Sequence, residues 1–178
     1  MKCKSGVWLA SLVMLTAAAA QGAEADFARQ TIDLGVVVTD VAKSVKFYTE
    51  AIGFTEIEGF KVGSDFAADA GLTYNRSLDI HVLVLGKGES ATKLKLMQVP
   101  EAKPEAGNTQ YIESQLGFRY LTIFINDTNA AMERLKKAGV KPLAKGPAEL
   151  PKGFPAGVFL TVVRDPDGNF VELVGPKK

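Results

Sequence analysis

Four ionisable side chains stand at matching places in the two halves of this 178-residue chain. They are two carboxylates, one ammonium and one phenol, on Asp33, Lys95, Tyr120 and Glu172. Asp33 lies seven residues before Asp40, and Tyr120 lies seven residues before Asp127. Lys95 and Glu172 each precede a leucine in an apolar run that closes its half. Such a set can pair charges, transfer protons as general acid and base, or hold a hard cation through its carboxylates.

These positions match because the chain contains an internal repeat. Residues 32–53 and 119–139 each begin with a β-branched apolar run, continue with an Asp and an amphipathic stretch, and end at a Gly. The Asp residues are typical N-caps, and Gly53 and Gly139 are typical helix stops. A repeat of this length indicates two like modules that bury their apolar faces together.

The repeat predicts an α+β fold with the order βαβββ in each module. We expect modules at about residues 31–99 and 118–176, within one domain over 26–178, forming a curved mixed sheet cup with helices on the convex face. A short helix is expected near residues 65–70, and one helical turn late in the linker over 100–117. The second module should include a short strand over 140–143, before a Pro/Gly-rich loop over 145–157.

Alternation along the strands predicts which side chains face the cup. Leu94 and Leu96 should lie under the helices, on the face opposite Lys95. The predicted ligand-binding side chains on the concave face are Asp33, Val37, Met97, Thr122, Phe124 and Phe170. The loops over 63–77 and 145–157 would form the rims. A cup of this kind suits a small, partly apolar ligand with one polar handle.

The first 25 residues have the pattern of a signal peptide. Lys2 and Lys4 precede an apolar run over residues 6–20, and residues 23–25 form a small-x-small cleavage site. The run is short for a membrane span of ~20 residues, which favours a cleaved leader over an anchor. We therefore expect a periplasmic or secreted protein that has no membrane association after cleavage.

The remainder of the chain argues against several classes of function. The leader holds two of the 21 Lys and Arg residues and one of the 20 Asp and Glu residues, so the rest has no net charge. The sequence lacks a run of basic residues of the kind that would indicate nucleic acid as a partner. The single Cys, Cys3, lies in the leader, so the mature chain has neither a disulfide nor a thiolate ligand.

At this point the chain resembles the vicinal oxygen chelate superfamily, the glyoxalase, bleomycin-resistance and extradiol-dioxygenase group. The resemblance covers about residues 31 to 176 and rests on the segments Val38-Thr39-Asp40, Phe47-Tyr48, Ile52-Gly53-Phe54, Ile125-Asn126-Asp127 and the closing run from Asp165 to Leu173. It implies paired modules whose cup holds a ligand, often in a homodimer.

The resemblance also implies where metal-using members hold a divalent ion. The equivalent positions here are Asp33, Lys95, Tyr120 and Glu172, of which only Glu172 matches the usual ligand. We therefore expect no cofactor; a divalent metal held by Asp33 and Glu172 is the alternative. Our hypothesis is that the Lys95 ammonium takes the place of the metal charge, flanked by Asp33 and Glu172, with the Tyr120 hydroxyl as a further partner.

Three further side chains are weaker candidates. His81 is the single His of the chain, and in a strand it is more often a structural hydrogen-bonding residue than a ligand. Arg76 and Arg119 would meet an acidic group on a ligand, although isolated arginines are more often surface residues.

Three functions remain open at this stage. The first is an exported binding protein of the bleomycin-resistance kind that holds a small molecule without chemistry. The second is an enzyme, either a metalloenzyme of the lactoylglutathione lyase or epimerase kind using Asp33 and Glu172, or a metal-free acid–base catalyst using Glu172, Lys95 and Tyr120. The third is an interaction protein whose cup is vestigial.

Overall fold

The computed structural model describes residues 28–99 and 101–178. The predicted signal peptide, residues 1–25, lies outside the described residues. Residues Thr31–Lys178 form one compact unit. Within the described part of the chain, no helix combines the length and apolarity needed to cross a membrane.

The first module is a four-stranded mixed sheet. Its strands are β1 (Asp33–Val37), β2 (Thr55–Val62), β3 (Leu78–Leu85) and β4 (Thr92–Gln98). Their order in the sheet is β1-β4-β3-β2, with β1 parallel to β4 and the other pairs antiparallel. This arrangement is the predicted βαβββ module, in which the first and last strands of the module are neighbours.

The second module repeats this topology. Its strands are β5 (Tyr120–Phe124), β6 (Ala148–Glu149), β7 (Val158–Arg164) and β8 (Phe170–Pro176), in the order β5-β8-β7-β6. Strand β5 runs parallel to β8. The two mixed sheets confirm the predicted fold class of paired βαβββ modules.

The helices begin at the predicted caps. Helix α1 (Val41–Lys46) starts after Asp40, whose side chain accepts a hydrogen bond from the Lys43 backbone N–H, and it continues as a π-helical segment, Phe47–Ile52. Helix α2 spans Ser64–Asp69 and helix α3 spans Thr128–Lys137, the latter after the Asp127 cap. The predicted turn in the linker is a 3₁₀ helix at Ile112–Ser114.

The predicted strand over residues 140–143 was wrong. These residues are irregular, and the strand that pairs with β7 is the two-residue β6 further along the chain. Pro142 has no backbone N–H to donate to a ladder, and from this segment only the Leu143 N–H reaches β7, at the carbonyl of Val162.

One apolar core serves both modules. The π-helical segment and α3 pack against the same face of the sheets, which we call the helix face. The buried residues of this core come from both modules and include Phe47, Tyr48, Ala51, Ile52, Leu83, Leu94, Leu96, Ile123, Ala131, Leu135, Val163, Val171 and Leu173. The two sheets therefore share one core, to which the helical segments of both modules contribute. We call the opposite face of each sheet the open face.

A buried hydrogen bond links the two modules. The Tyr48 hydroxyl donates to Asp165 Oδ2 at 3.0 Å, inside the shared core. Asp165 Oδ1 accepts from the backbone N–H groups of Asp167 and Asn169, which closes the turn between β7 and β8. The sequence Asp-Pro-Asp-Gly thus forms the predicted turn, and its first carboxylate also anchors the first module.

This contact predicts a dependence of stability on alkaline pH. Burial, with the nearby Asp165 carboxylate, raises the pKa of Tyr48 far above its ordinary value of 10.0. The folded protein keeps this proton while the unfolded chain loses it near pH 10, so unfolding releases a proton and stability falls as pH rises. We expect Tyr48 to lower the free energy of unfolding by about 1.4 kcal/mol per pH unit above pH 10.

Urea unfolding of the wild type and of Tyr48→Phe at pH 9 and pH 11 measures this contribution. The variant lacks the titrating phenol and should lose less stability between the two pH values. Equal losses in the two proteins would show that Tyr48 is not the group responsible.

Strand β2 is an edge strand whose pairing is interrupted. Its register with β3 shifts between Ile57 and Phe60. Gly59 lies at this irregularity, and a Cβ there would lie 2.1 Å from the carbonyl oxygen of Ile80. The bulge therefore requires glycine because the two backbones approach too closely for any side chain.

Candidate functional site

The central charged residues of the two open faces lie at equivalent points of the two sheets. In the first sheet Lys95 of β4 lies opposite Gly35 of the neighbouring strand β1, and in the second Glu172 of β8 lies opposite Thr122 of β5. Each is flanked in its own strand by residues of the helix face, as the alternation predicted. The two modules therefore present opposite charges at the same structural position.

Lys95 forms an ion pair with Asp33. Lys95 Nζ lies 2.9 Å from Asp33 Oδ2, with side chains 30% and 14% exposed. The Phe60 ring lies 5.9 Å from the Lys95 ammonium. The first open face thus contains a partly buried charge pair next to an aromatic ring.

Glu172 has a different environment. Its Oε2 accepts a hydrogen bond of 2.7 Å from the Thr122 hydroxyl. Within the described chain, no Lys or Arg nitrogen lies within ion-pair distance of this carboxylate. The expectation that Glu172 and Asp33 together flank Lys95 needs correction, because Asp33 lies on the strand next to Lys95 whereas Glu172 belongs to the other sheet, opposite Thr122.

Glu172 lines a cavity on the second open face. The cavity has a volume of about 650 Å³, and three other predicted site residues line it: Tyr120, Thr122 and Phe124. The rest of its lining includes Leu150, Phe154, Leu160 and Val174. Phe124 is 81% exposed and Tyr120 is 50% exposed. We refer to this space as the Glu172 cavity. Its wall is apolar apart from the two strand hydroxyls and the carboxylate.

A second cavity of about 600 Å³ lies beside it and shares Leu160. Phe170, a predicted ligand-binding residue, lies in its lining but is only 6% exposed, because the Arg164 guanidinium covers the ring at 4.6 Å. Arg164 also donates to the backbone carbonyls of Gly168 and Gln110. Sequence reasoning missed Arg164, although its place on the same face of β7 as Val162, just before the turn, was a usable signal.

The remaining predicted lining residues lie elsewhere. Val37 lines a polar cleft of about 260 Å³ with Thr39, Asp167 and part of the linker. Met97 packs against a separate apolar cluster that contains Ile80 and Val82. Of the predicted set, the structure therefore brings Thr122, Phe124, Tyr120 and Glu172 into one cavity, and their role in binding is still a prediction.

The weaker candidates have structural partners. The Arg119 guanidinium donates to the backbone carbonyls of Asn108, Tyr111 and Ile112 and so fixes the linker. His81 Nδ1 lies 2.9 Å from Glu56 Oε1 on the helix side of the first sheet. The backbone N–H and carbonyl of Arg76 are bonded to the Thr73 hydroxyl.

Two of the four residues at the positions that the family resemblance implies for a metal, Lys95 and Tyr120, are chemically unsuited to a divalent ion. The Lys95 ammonium lies against one carboxylate, and the Glu172 cavity includes neither Asp33 nor Lys95. Within residues 28–99 and 101–178, no three His, Cys, Asp or Glu side chains are grouped so that they could hold a metal. An ammonium repels a cation, and a neutral phenol is a poor ligand for one.

The ion pair predicts a measurable loss on replacing Lys95 with methionine. The variant keeps the length and packing of the side chain but leaves the Asp33 carboxylate without its ammonium, at a cost of about 1 to 2 kcal/mol in free energy of unfolding. Lys61→Met is the matched control, since its pair with Asp79 is far more exposed and should be worth about 0.5 kcal/mol or less. Equal effects of the two substitutions would show that the Asp33–Lys95 pair contributes no more than a surface contact.

Comparison with known proteins places this geometry in a family. The model of the Glyoxalase/Bleomycin resistance protein/Dioxygenase superfamily matches residues 31–173. None of the curated proteins is similar enough in sequence to match.

Solved structures share the fold at low sequence identity. A glyoxalase family protein from Bacillus cereus is 18% identical, with a TM-score of 0.68 over 88% of this chain and 100% of its own. A glyoxylase/bleomycin resistance protein/dioxygenase domain from Frankia sp. EAN1pec has a TM-score of 0.58 at 17% identity, over 82% of this chain and 90% of its own. A glyoxalase I mutant from Zea mays has a TM-score of 0.59 at 19% identity, over 83% of this chain and 46% of its own.

The family match covers most of the chain, both sheets have the paired-module topology, and the neighbouring structures share it. The chain therefore belongs to the glyoxalase/bleomycin resistance protein/dioxygenase superfamily.

Proposed function

We propose that the protein is an exported member of this superfamily that binds a small molecule in the Glu172 cavity without a divalent metal. The observation that carries the proposal is the exposure of Phe124 and Tyr120 beside a carboxylate in a cavity of about 650 Å³. Exposed aromatic surface in a concave site is stabilised when a ligand covers it. The sequence of the leader supports export.

Binding of an uncharged probe tests the proposal. We expect Nile red to bind saturably to the protein beginning at Asp26, its predicted mature N-terminus. Phe124→Ala should weaken this binding by about tenfold, because it removes the most exposed aromatic ring of the cavity. Phe66→Ala is the matched control, since Phe66 is also exposed but lies in α2, outside this cavity. Absence of saturable binding, or equal effects of the two variants, would contradict the proposal.

Metal analysis tests the metal-free part of the proposal. We expect no stoichiometric metal in the purified protein, even after incubation with Zn²⁺, Ni²⁺, Mn²⁺ or Fe²⁺. Stoichiometric metal that disappears in Glu172→Gln would overturn the proposal and favour a metalloenzyme of the lactoylglutathione lyase or epimerase kind, with Asp33 and Glu172 as the ligands.

A metal-free acid–base enzyme is the second candidate. The observation in its favour is that Tyr120 and Glu172 line the same cavity, so a base and a hydroxyl face one bound molecule. Lys95, the third predicted catalytic residue, lies in the first sheet with Asp33 and has no place in this pair. Turnover of a bound compound that is lost in Glu172→Gln without loss of binding would select this candidate.

We further propose that two copies associate, as the family resemblance implies. Leu116 and Phe118 are almost completely exposed in the single chain, and large apolar side chains of this kind are typical of interfaces. Light scattering should give the mass of a dimer, and Phe118→Ser should shift it toward the monomer. A monomeric wild type would contradict this proposal.

A further inference from the structure

We infer that the ligand of the Glu172 cavity is an amphiphilic organic cation, with an ammonium or guanidinium group that meets Glu172 and an apolar body that lies over the aromatic wall. This inference rests on the proposed function, because it names the chemical class of the ligand of that same site. The structure supports it through charge, aromatic lining and size.

The charge balance of the two modules differs at equivalent positions. In the first module the Lys95 ammonium lies 2.9 Å from the Asp33 carboxylate. In the second module Glu172 is half-buried, and its bonded neighbour is the neutral Thr122 hydroxyl. Among the described residues that line its cavity, none is Lys, Arg or His. A positive group of the ligand would therefore supply the charge that Lys95 supplies in the other module.

The wall of the cavity favours a cation for a second reason. Tyr120, Phe124 and Phe154 place three aromatic rings around the space that Glu172 faces. The faces of aromatic rings attract ammonium and guanidinium groups, and this attraction grows as water is excluded. A carboxylate combined with such rings suits a cation and repels an anion.

Desolvation separates a cationic ligand from a neutral one. A neutral apolar molecule that fills the cavity takes water away from the Glu172 carboxylate and gives no charge in return, which is unfavourable. A cation of the same shape compensates the carboxylate at the same moment. A volume of about 650 Å³ lies within the range for small-molecule sites, so an apolar body of one or two rings fits beside the charged group.

Three probes of the same shape test the inference: 4-phenylbutylamine, 4-phenylbutanol and 4-phenylbutyrate, titrated calorimetrically into the protein at pH 7. We expect the amine to bind at least about tenfold more tightly than the alcohol, and the carboxylate to bind most weakly. High salt should reduce the preference for the amine over the alcohol, because the preference is electrostatic.

Glu172→Gln should abolish the preference for the amine and should not weaken the binding of the alcohol, because a neutral amide costs less to desolvate than the carboxylate. Glu133→Gln, on the exposed side of α3, is the matched control and should leave all three affinities unchanged. An amine that binds no better than the alcohol, or a preference that survives in Glu172→Gln, would overturn the inference while leaving the proposed binding function intact. Failure of all three probes and of Nile red would overturn both.

Discussion

Replacing Gly175 with alanine should lower the free energy of unfolding by about 3 kcal/mol, which is the largest effect we expect from removing or adding a single methyl group. A Cβ at this position would lie 2.1 Å from the carbonyl oxygen of Ile125 and 2.7 Å from Ile125 Cγ1. Gly175 is buried near the end of β8, where its own carbonyl accepts a hydrogen bond from the Thr128 hydroxyl at the start of α3. The added methyl group must therefore push β8 away from Ile125, and this shift disturbs the hydrogen bond between Gly175 and Thr128.

Chemical denaturation of Gly175→Ala and Gly63→Ala measures this effect. Gly63 is the matched control, because its backbone is extended with a negative φ and a Cβ there would meet nothing within 4 Å. We expect Gly63→Ala to unfold within about 0.5 kcal/mol of the wild type. If Gly175→Ala does not fold, Thr128→Val provides a second measurement, because it removes the hydroxyl bond to Gly175 without adding volume and should cost about 1 kcal/mol. Wild-type stability in both variants would show that this junction tolerates displacement.

Replacing Asp165 with alanine should cost a similar amount, about 3 kcal/mol, for an electrostatic reason. The carboxylate is buried and accepts hydrogen bonds from Tyr48, from the Asn169 side chain and from two backbone N–H groups of the turn. Removing it leaves several buried donors without an acceptor, and each such donor carries a desolvation cost. The substitution should loosen the turn between β7 and β8 as well as the contact between the modules.

A double-mutant cycle separates these two consequences. Tyr48→Phe should cost about 1 kcal/mol alone and much less in the Asp165→Ala background, because its bonding partner is then absent. Asp69→Ala, on the exposed surface of α2, should be nearly neutral. Strict additivity of the Tyr48 and Asp165 substitutions would show that their hydrogen bond does not couple the modules.

The faces of the strands were predictable because their period is fixed by covalent geometry. Leu94 and Leu96 are fully buried under the helices, and Lys95 between them lies on the open face, as alternation requires. The caps at Asp40 and Asp127 were equally local and appear where the sequence placed them. Each of these features depends on residues within one turn or one strand.

What failed depended on distances between the modules or on backbone chemistry within loops. The repeat shows that Lys95 and Glu172 occupy the same position in their two sheets, but it does not fix the distance between the sheets. Lys95 therefore pairs with Asp33 inside the first module and not with Glu172. The sequence could place Arg164 on a strand face, but it could not predict the bonds of Arg119 and Arg164 to the linker, because the carbonyls they bind belong to an irregular segment. Sequence periodicity carries no information about such a segment.

The interruption in β2 makes this edge of the first sheet a poor template for pairing with another strand. An exposed edge strand offers a row of N–H and C=O groups to any other strand, and continuous edges of this kind nucleate fibrous aggregates. In β2 the bulge around Gly59 breaks that row, and charged side chains at Glu56, Glu58 and Lys61 surround the break. The glycine that allows the bulge therefore also protects an exposed edge of the sheet.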